Sequence, residues 1–181
     1  MVRTGAALSG ARLRWMPFAY YNRLPRSAQA VYRQSDAVVE IPLRAGRELW
    51  PVVGELRQAL LADDRARVEA ACTGLGLGLT RMLAVEPVRI SVLAVRPTLR
   101  ASELHGLYTS EPGRVPRIQV WMRTAQQKRV VAFRTFLRTL LHELVHHLDY
   151  THLKLADSFH TEGFFKRESS LFKQIVPPDA G

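Results

Sequence analysis

Between residues 128 and 150 the apolar positions Val130, Phe133, Leu137, Leu140, Leu141, Leu144 and Leu148 recur at steps of three and four. That period predicts an amphipathic helix of about six turns, over about Lys128 to Tyr150. A weaker stripe of Val68, Cys72, Leu75, Leu79 and Leu83 predicts a second helix from about Asp64 to Leu83. Before it, Leu56, Leu60 and Leu61 follow Pro51 at helical spacing, and Asp63-Asp64 interrupt the run. LPRSAQAVYRQS, residues 24–35, predicts a short helix with Pro25 near its start. Asp36 to Ile41 reads as a short extended piece that stops at Pro42.

The period changes after residue 87. VRISVLAV, residues 88–95, is rich in β-branched residues and is bounded by Pro87 and Pro97. Leu107 to Thr109 and Arg117 to Met122 flank SEPGRVP, whose Pro and Gly predict a hairpin. After the long helix, Thr161 reads as the N-cap of a last helix that ends before Pro177-Pro178. The expected architecture is one α+β domain over residues 21–181. It has a small, antiparallel-rich sheet, with the long helix and the C-terminal helix packed on it. Residues 1–20 are expected to form a basic N-terminal arm. GLGLGL, residues 74–79, lacks a preceding strand and a following Gly-Lys-Ser/Thr, so it does not predict a phosphate loop.

The chemistry sits in the long helix as His142-Glu143-Leu144-Val145-His146, an H-E-x-x-H sequence. Four residues advance a helix by about 400°, so the two imidazoles lie about 40° apart on one face. Both rings then reach one tetrahedral ion, for which Zn2+ is the expected metal. Glu143, beside the first ligand, is placed to act as general base on a metal-activated water. Three fixed residues arise by chance in a chain of this length roughly 2% of the time. Here they also fall inside a strongly periodic helix, where Leu140, Leu141, Leu144, Val145 and Leu148 turn inward and leave the histidines a cleft.

Two histidines are half of a tetrahedral shell, and three downstream residues compete for the third place. His152 stands six residues after His146, matching the longer H-E-x-x-H-x-x-G-x-x-H pattern. Its glycine position is Asp149, however, and Met1, Met16, Met82 and Met122 all precede the motif, so the later methionine turn is missing. His160 precedes the last helix, which can fold back and present its ring. Glu168 lies two turns further along that helix, about 12 Å from His160, so the two cannot share an ion. Zinc's preference for imidazole favours His160. His147 points about 100° away from His146 and reads as structural. His105, Tyr108 and Tyr150 are candidates for steadying an oxyanion, and Asp149 for orienting a ligand histidine. Lys166, Arg167 and Glu168 read as the surface of the last helix, with Glu168 the one that can turn inward.

His142-Glu143-x-x-His146 followed by His160-Thr-Glu-Gly-Phe164-Phe165 resembles the SprT-like metallopeptidases and their small bacterial relatives, the YgjP-like putative metal-dependent hydrolases. The resemblance covers about Thr139 to Phe165. In those families a histidine in a short His-x-x-x-Phe segment opening a helix is the third zinc ligand. The resemblance therefore implies a zincin-like domain, zinc on His142, His146 and His160, Glu143 as base, and a protein or peptide substrate. Some SprT-like proteins act on proteins crosslinked to DNA and carry separate DNA-binding modules.

Composition narrows the partners. The 181 residues carry 26 Lys+Arg against 16 Asp+Glu, a formal charge of +10. That balance favours polyanionic partners, and a basic nucleic-acid-binding module with a non-catalytic metal is the alternative reading. Arg123, Lys128, Arg129, Arg134 and Arg138 precede the motif, but a solvated helix face accounts for them. The single cysteine, Cys72, excludes an internal disulfide and a Cys-based zinc module. No apolar run reaches the ~20 residues of a membrane span, and no secretory block opens the chain, so a cytoplasmic protein is expected.

Overall fold

The computed structural model describes residues 17–97 and 105–178. Residues 1–16 of the expected N-terminal arm lie outside the described residues. Among the described residues, five α-helices and one three-stranded sheet make an α+β arrangement. Helix α1 spans Arg26–Ala37, α2 Trp50–Leu61 and α3 Arg65–Met82. Strands β1 (Arg89–Val95), β2 (Gly106–Thr109) and β3 (Arg117–Arg123) follow, then α4 (Phe133–Thr151) and α5 (Glu162–Ile175).

Local chemistry sets most of these boundaries. Asp64 caps α3, its carboxylate accepting the Arg67 amide at 3.1 Å. Thr161 caps α5, its hydroxyl accepting the Phe164 amide at 2.9 Å. Each such cap is worth about 1 kcal/mol. GLGLGL lies within α3. A Cβ on Gly76 would come 2.6 Å from Ile90 Cδ1, so this glycine allows α3 to press on β1.

The sheet differs from the expected antiparallel-rich one. Its order is β1-β3-β2, and the longer pairing is parallel: β1 runs alongside β3 with Ile90 opposite Ile118 and Val92 opposite Val120. Only β2 is antiparallel to β3, with Gly106 opposite Val120 and Thr109 opposite Arg117, as the hairpin signal predicts. A hairpin signal marks partners adjacent in sequence, whereas β1 finds its partner across an intervening strand. Ile90, Val92, Ile118, Val120 and Met122 join the core with Leu75 and Leu79 of α3 and Leu137, Leu141 and Leu144 of α4. Burying each such side chain contributes roughly 1.5–3 kcal/mol.

Two further expectations change. Helix α4 starts at Phe133, not Lys128, because Val130 pairs with Arg123 and the Val131 amide donates to Met122 O at 2.9 Å. Residues 38–43 follow α1 in no sheet; the Gln174 side chain serves their backbone instead. It donates to Ile41 O at 3.0 Å and accepts from the Leu43 amide at 2.7 Å. Among the described residues no helix is long and apolar enough to cross a membrane.

Candidate metal centre

Helix α4 packs against β2, β3 and α5, and its polar side faces a cavity of about 680 Å³ between β2 and the segment leading into α5. His142 and His146 open into this cavity from α4, one turn apart. The loop after α4 brings His160 back to them. Nε2 of His160 lies 3.0 Å from Nε2 of His142 and 3.0 Å from Nε2 of His146. One nitrogen from each of the three rings lies within 4.8 Å of the others, close enough to hold one metal ion.

Of the rival third ligands, His152 is exposed at the C-terminal end of α4, outside this cluster. Glu168 turns inward, 9% exposed, but meets the other side of a ligand: its Oε2 lies 3.2 Å from His142 Nδ1. With a carboxylate at Nδ1, that nitrogen carries the proton and Nε2 keeps its lone pair. His146 is set in the same way through an intermediary. Its Nδ1 lies 2.8 Å from Ser158 Oγ, and Ser158 donates its own proton to Asp149 Oδ2 at 2.8 Å. The hydroxyl therefore accepts from His146 Nδ1–H, leaving Nε2 free to face the cluster. Tyr20, the last residue of the expected arm, donates to the backbone carbonyl of His160 at 2.8 Å.

Asp149 is fully buried, and so is the partner that neutralises it. Arg167 Nη2 donates to both carboxylate oxygens, at 2.9 and 3.1 Å. Its Nη1 reaches the carbonyls of Ser35 and Val38 at 2.5 Å each, and Nη2 also reaches Ser35 Oγ at 2.9 Å. Arg167 is thus 0% exposed, a correction to its expected place on the surface of the last helix. Its two terminal nitrogens are bound by an acid 18 residues away and by the end of α1, 129 to 132 residues away, while its buried Nε has no hydrogen-bond partner among the described residues. Burial pushes the Asp149 carboxyl up, against the pull of Arg167 and Ser158.

The floor of the cluster is apolar. The Phe164 ring, wholly buried, contacts all three imidazoles at centroid distances of 4.9, 4.7 and 5.1 Å. Burial, with His142 and His160 close by, lowers the His146 pKa to about 3. His160 is lowered by burial and by His142, against the pull of Glu168. Both rings are therefore neutral near pH 7, the form that donates a lone pair.

Glu143 is 6% exposed and lines the same cavity. Burial raises its pKa, while His142 and the Tyr108 amide, which hydrogen-bonds to the carboxylate, pull it back. Gly106 makes the room: a Cβ there would lie 2.5 Å from Glu143 Oε1 and 2.6 Å from its Cγ. Strand β2 thus holds this carboxylate by a backbone N–H and by a missing side chain.

Of the candidate oxyanion donors, Tyr108 has its hydroxyl engaged elsewhere. His147, fully buried, can only donate from Nε2 to Glu86 O at 2.8 Å, so its Nδ1 accepts from Tyr108 Oη at 3.3 Å. This also places His147 away from the cluster, as its direction on the helix predicts. His105 and Tyr150 line the cavity, and Tyr150 Oη donates to Asp157 Oδ1 at 3.2 Å.

Sequence reasoning missed Ser158, Arg167, Gly106 and Tyr20. Only Gly106 carried a signal, as a glycine opening a strand that leads toward the motif helix. Comparison of the chain with protein-family profiles, curated proteins and solved structures yields no match.

Proposed function

We propose that this chain is a zinc-dependent metallopeptidase of the H-E-x-x-H type, with a zincin-like domain akin to the SprT-like proteins. One observation carries the reading: three Nε2 atoms converge within reach of one ion while partners hold Nδ1 of two of the rings. A structural histidine has no need of that arrangement, whereas a ligand histidine does, because its tautomer must be fixed. Three imidazoles suit zinc, and three protein ligands leave a tetrahedral position open for water or substrate.

When bound, the ion supplies Lewis acidity, polarising a carbonyl and lowering the pKa of water toward neutrality. His142, His146 and His160 hold it. Glu143 takes a proton from the attacking water as the oxygen adds to the scissile carbonyl carbon. It then gives that proton to the amine nitrogen as the C–N bond breaks. His105 lines the cavity from which the developing oxyanion can be reached, and Tyr150 can do so only by releasing Asp157. The zinc content of the purified chain and its proteolysis of unfolded protein test this reading. One zinc per chain, and loss of at least about 100-fold in turnover by Glu143→Gln with zinc retained, is expected. Absence of stoichiometric zinc, or unchanged turnover in Glu143→Gln, refutes it.

A further inference from the structure

The cavity is lined by more of α4 than the histidines alone. Arg138, His142, His146 and Tyr150 recur every four residues on α4, and all four line it. The stripe puts Arg138 about 6 Å beyond His142 along the helix, on the side away from Tyr150. An extended peptide laid along α4 advances about 3.3 Å per residue, which sets Arg138 about two residues from a bond positioned at the histidines.

Arg138 is a cation held in place and only partly engaged. Its guanidinium carbon sits 4.5 Å from the Phe172 ring centroid, a cation–π contact that helps hold the group in place. Its side chain is 44% exposed. The nearest acid, Glu168, is 3.4 Å from Nη1, at the long limit of a hydrogen bond, and shares its carboxylate with His142 Nδ1. The Glu168 side chain is only 11% exposed and is divided between Arg138 and His142, so it leaves the outward donors of the guanidinium unpaired by it. A guanidinium has five N–H donors in a planar fork, and a carboxylate matches two of them side by side. Besides Glu143 and Glu168, no acidic side chain lines the cavity among the described residues. The chain's +10 charge adds a long-range attraction of the same sign.

We propose that Arg138 is a specificity-determining residue that binds a carboxylate of the substrate about two residues from the scissile bond. The substrate class is therefore an acidic peptide. The carboxylate comes either from an Asp or Glu side chain or from a free peptide C-terminus. The inference rests on the peptidase reading for its register, but the carboxylate subsite is testable without turnover.

The test uses the full chain loaded with zinc. Binding is read by fluorescence anisotropy on Glu143→Gln, with labelled peptides carrying Glu, Gln or Lys two residues from the centre, each with a free or an amidated C-terminus. Cleavage by the Glu143 protein is read on a mixed-sequence peptide pool. The account expects Glu peptides to bind at least about tenfold tighter than Gln peptides. Arg138→Gln should remove that ratio and Arg138→Glu should turn it toward Lys, with zinc content retained in both. Preference for Glu with an amidated terminus assigns the side chain; preference that needs the free terminus assigns the terminal carboxylate. Acid-selective, Arg138-dependent binding without any cleavage keeps the subsite and removes the peptidase reading. A ratio near one in the parent protein, or a Glu preference that survives Arg138→Glu, overturns the proposal.

Discussion

Gly106→Ala is the sharpest perturbation of the proposed machinery, because it adds one methyl group and touches no ligand. The new Cβ would lie 2.5 Å from Glu143 Oε1, 2.6 Å from Cγ and 2.8 Å from Cδ, where ordinary contact begins at 3.4 Å. Glu143 must retreat by about 0.9 Å, or β2 must move away from α4 by as much. Retreat is obstructed, since the side chain is 6% exposed and tied to the Tyr108 amide. A displacement of about 1 Å at a reacting group costs about 100-fold in rate. Forcing a methyl group into a packed site costs about 1–3 kcal/mol of stability. The assay is kcat on a peptide substrate at matched zinc content, beside a denaturant titration. A second background separates the cause: in Glu143→Ala the clashing atoms are gone, so Gly106→Ala should cost little stability there. The two substitutions should couple by about 1 kcal/mol or more. Wild-type kcat and stability in Gly106→Ala, or an equal stability loss in both backgrounds, would refute the account of how β2 positions the base.

Other outcomes follow from the same geometry. Ser158→Ala removes the hydroxyl between His146 and Asp149, and should weaken zinc about 10–100-fold in a chelator competition while the fold persists. Arg167→Leu strands the buried Asp149 carboxylate and should lower stability by about 3–5 kcal/mol in denaturant titration. The pH dependence has a definite sign. Folding lowers the His146 pKa from 6.5 to about 3, so between those values the unfolded chain binds more protons. The metal-free protein therefore loses this contribution to stability as pH falls through that window. His146→Gln should flatten the stability profile between about pH 6.5 and pH 4 relative to the parent, and an unchanged slope would contradict the burial of that ring.

What the sequence made legible is local. The i, i+4 spacing of His142 and His146 and the N-cap at Thr161 depend on neighbours within one turn, and the structure keeps both. His160 was favoured because a helix opening just after it can return its ring, and the ring does return. The failures are contacts between distant segments. Val130 fits the helical period of α4 by its spacing yet pairs with Arg123, whose backbone the 124–129 turn brings beside it. Arg167 reads as a surface charge, and only the meeting of Asp149 with the end of α1 explains its burial. Ser158 carries no motif; it matters because one hydroxyl fits between His146 and Asp149. Glu168 reads from the sequence as a rival ligand, and its carboxylate does reach the cluster, but at the far nitrogen of His142.

The central claim is that three imidazoles hold one zinc ion, and X-ray absorption at the zinc edge on the purified chain tests it most directly. The account predicts one zinc per chain with three histidine nitrogens at about 2.0–2.1 Å, reduced to two in His160→Ala and unchanged in His152→Ala. Zinc whose nitrogen shell is the same with and without the His160 ring, or a chain that retains no zinc, would contradict it.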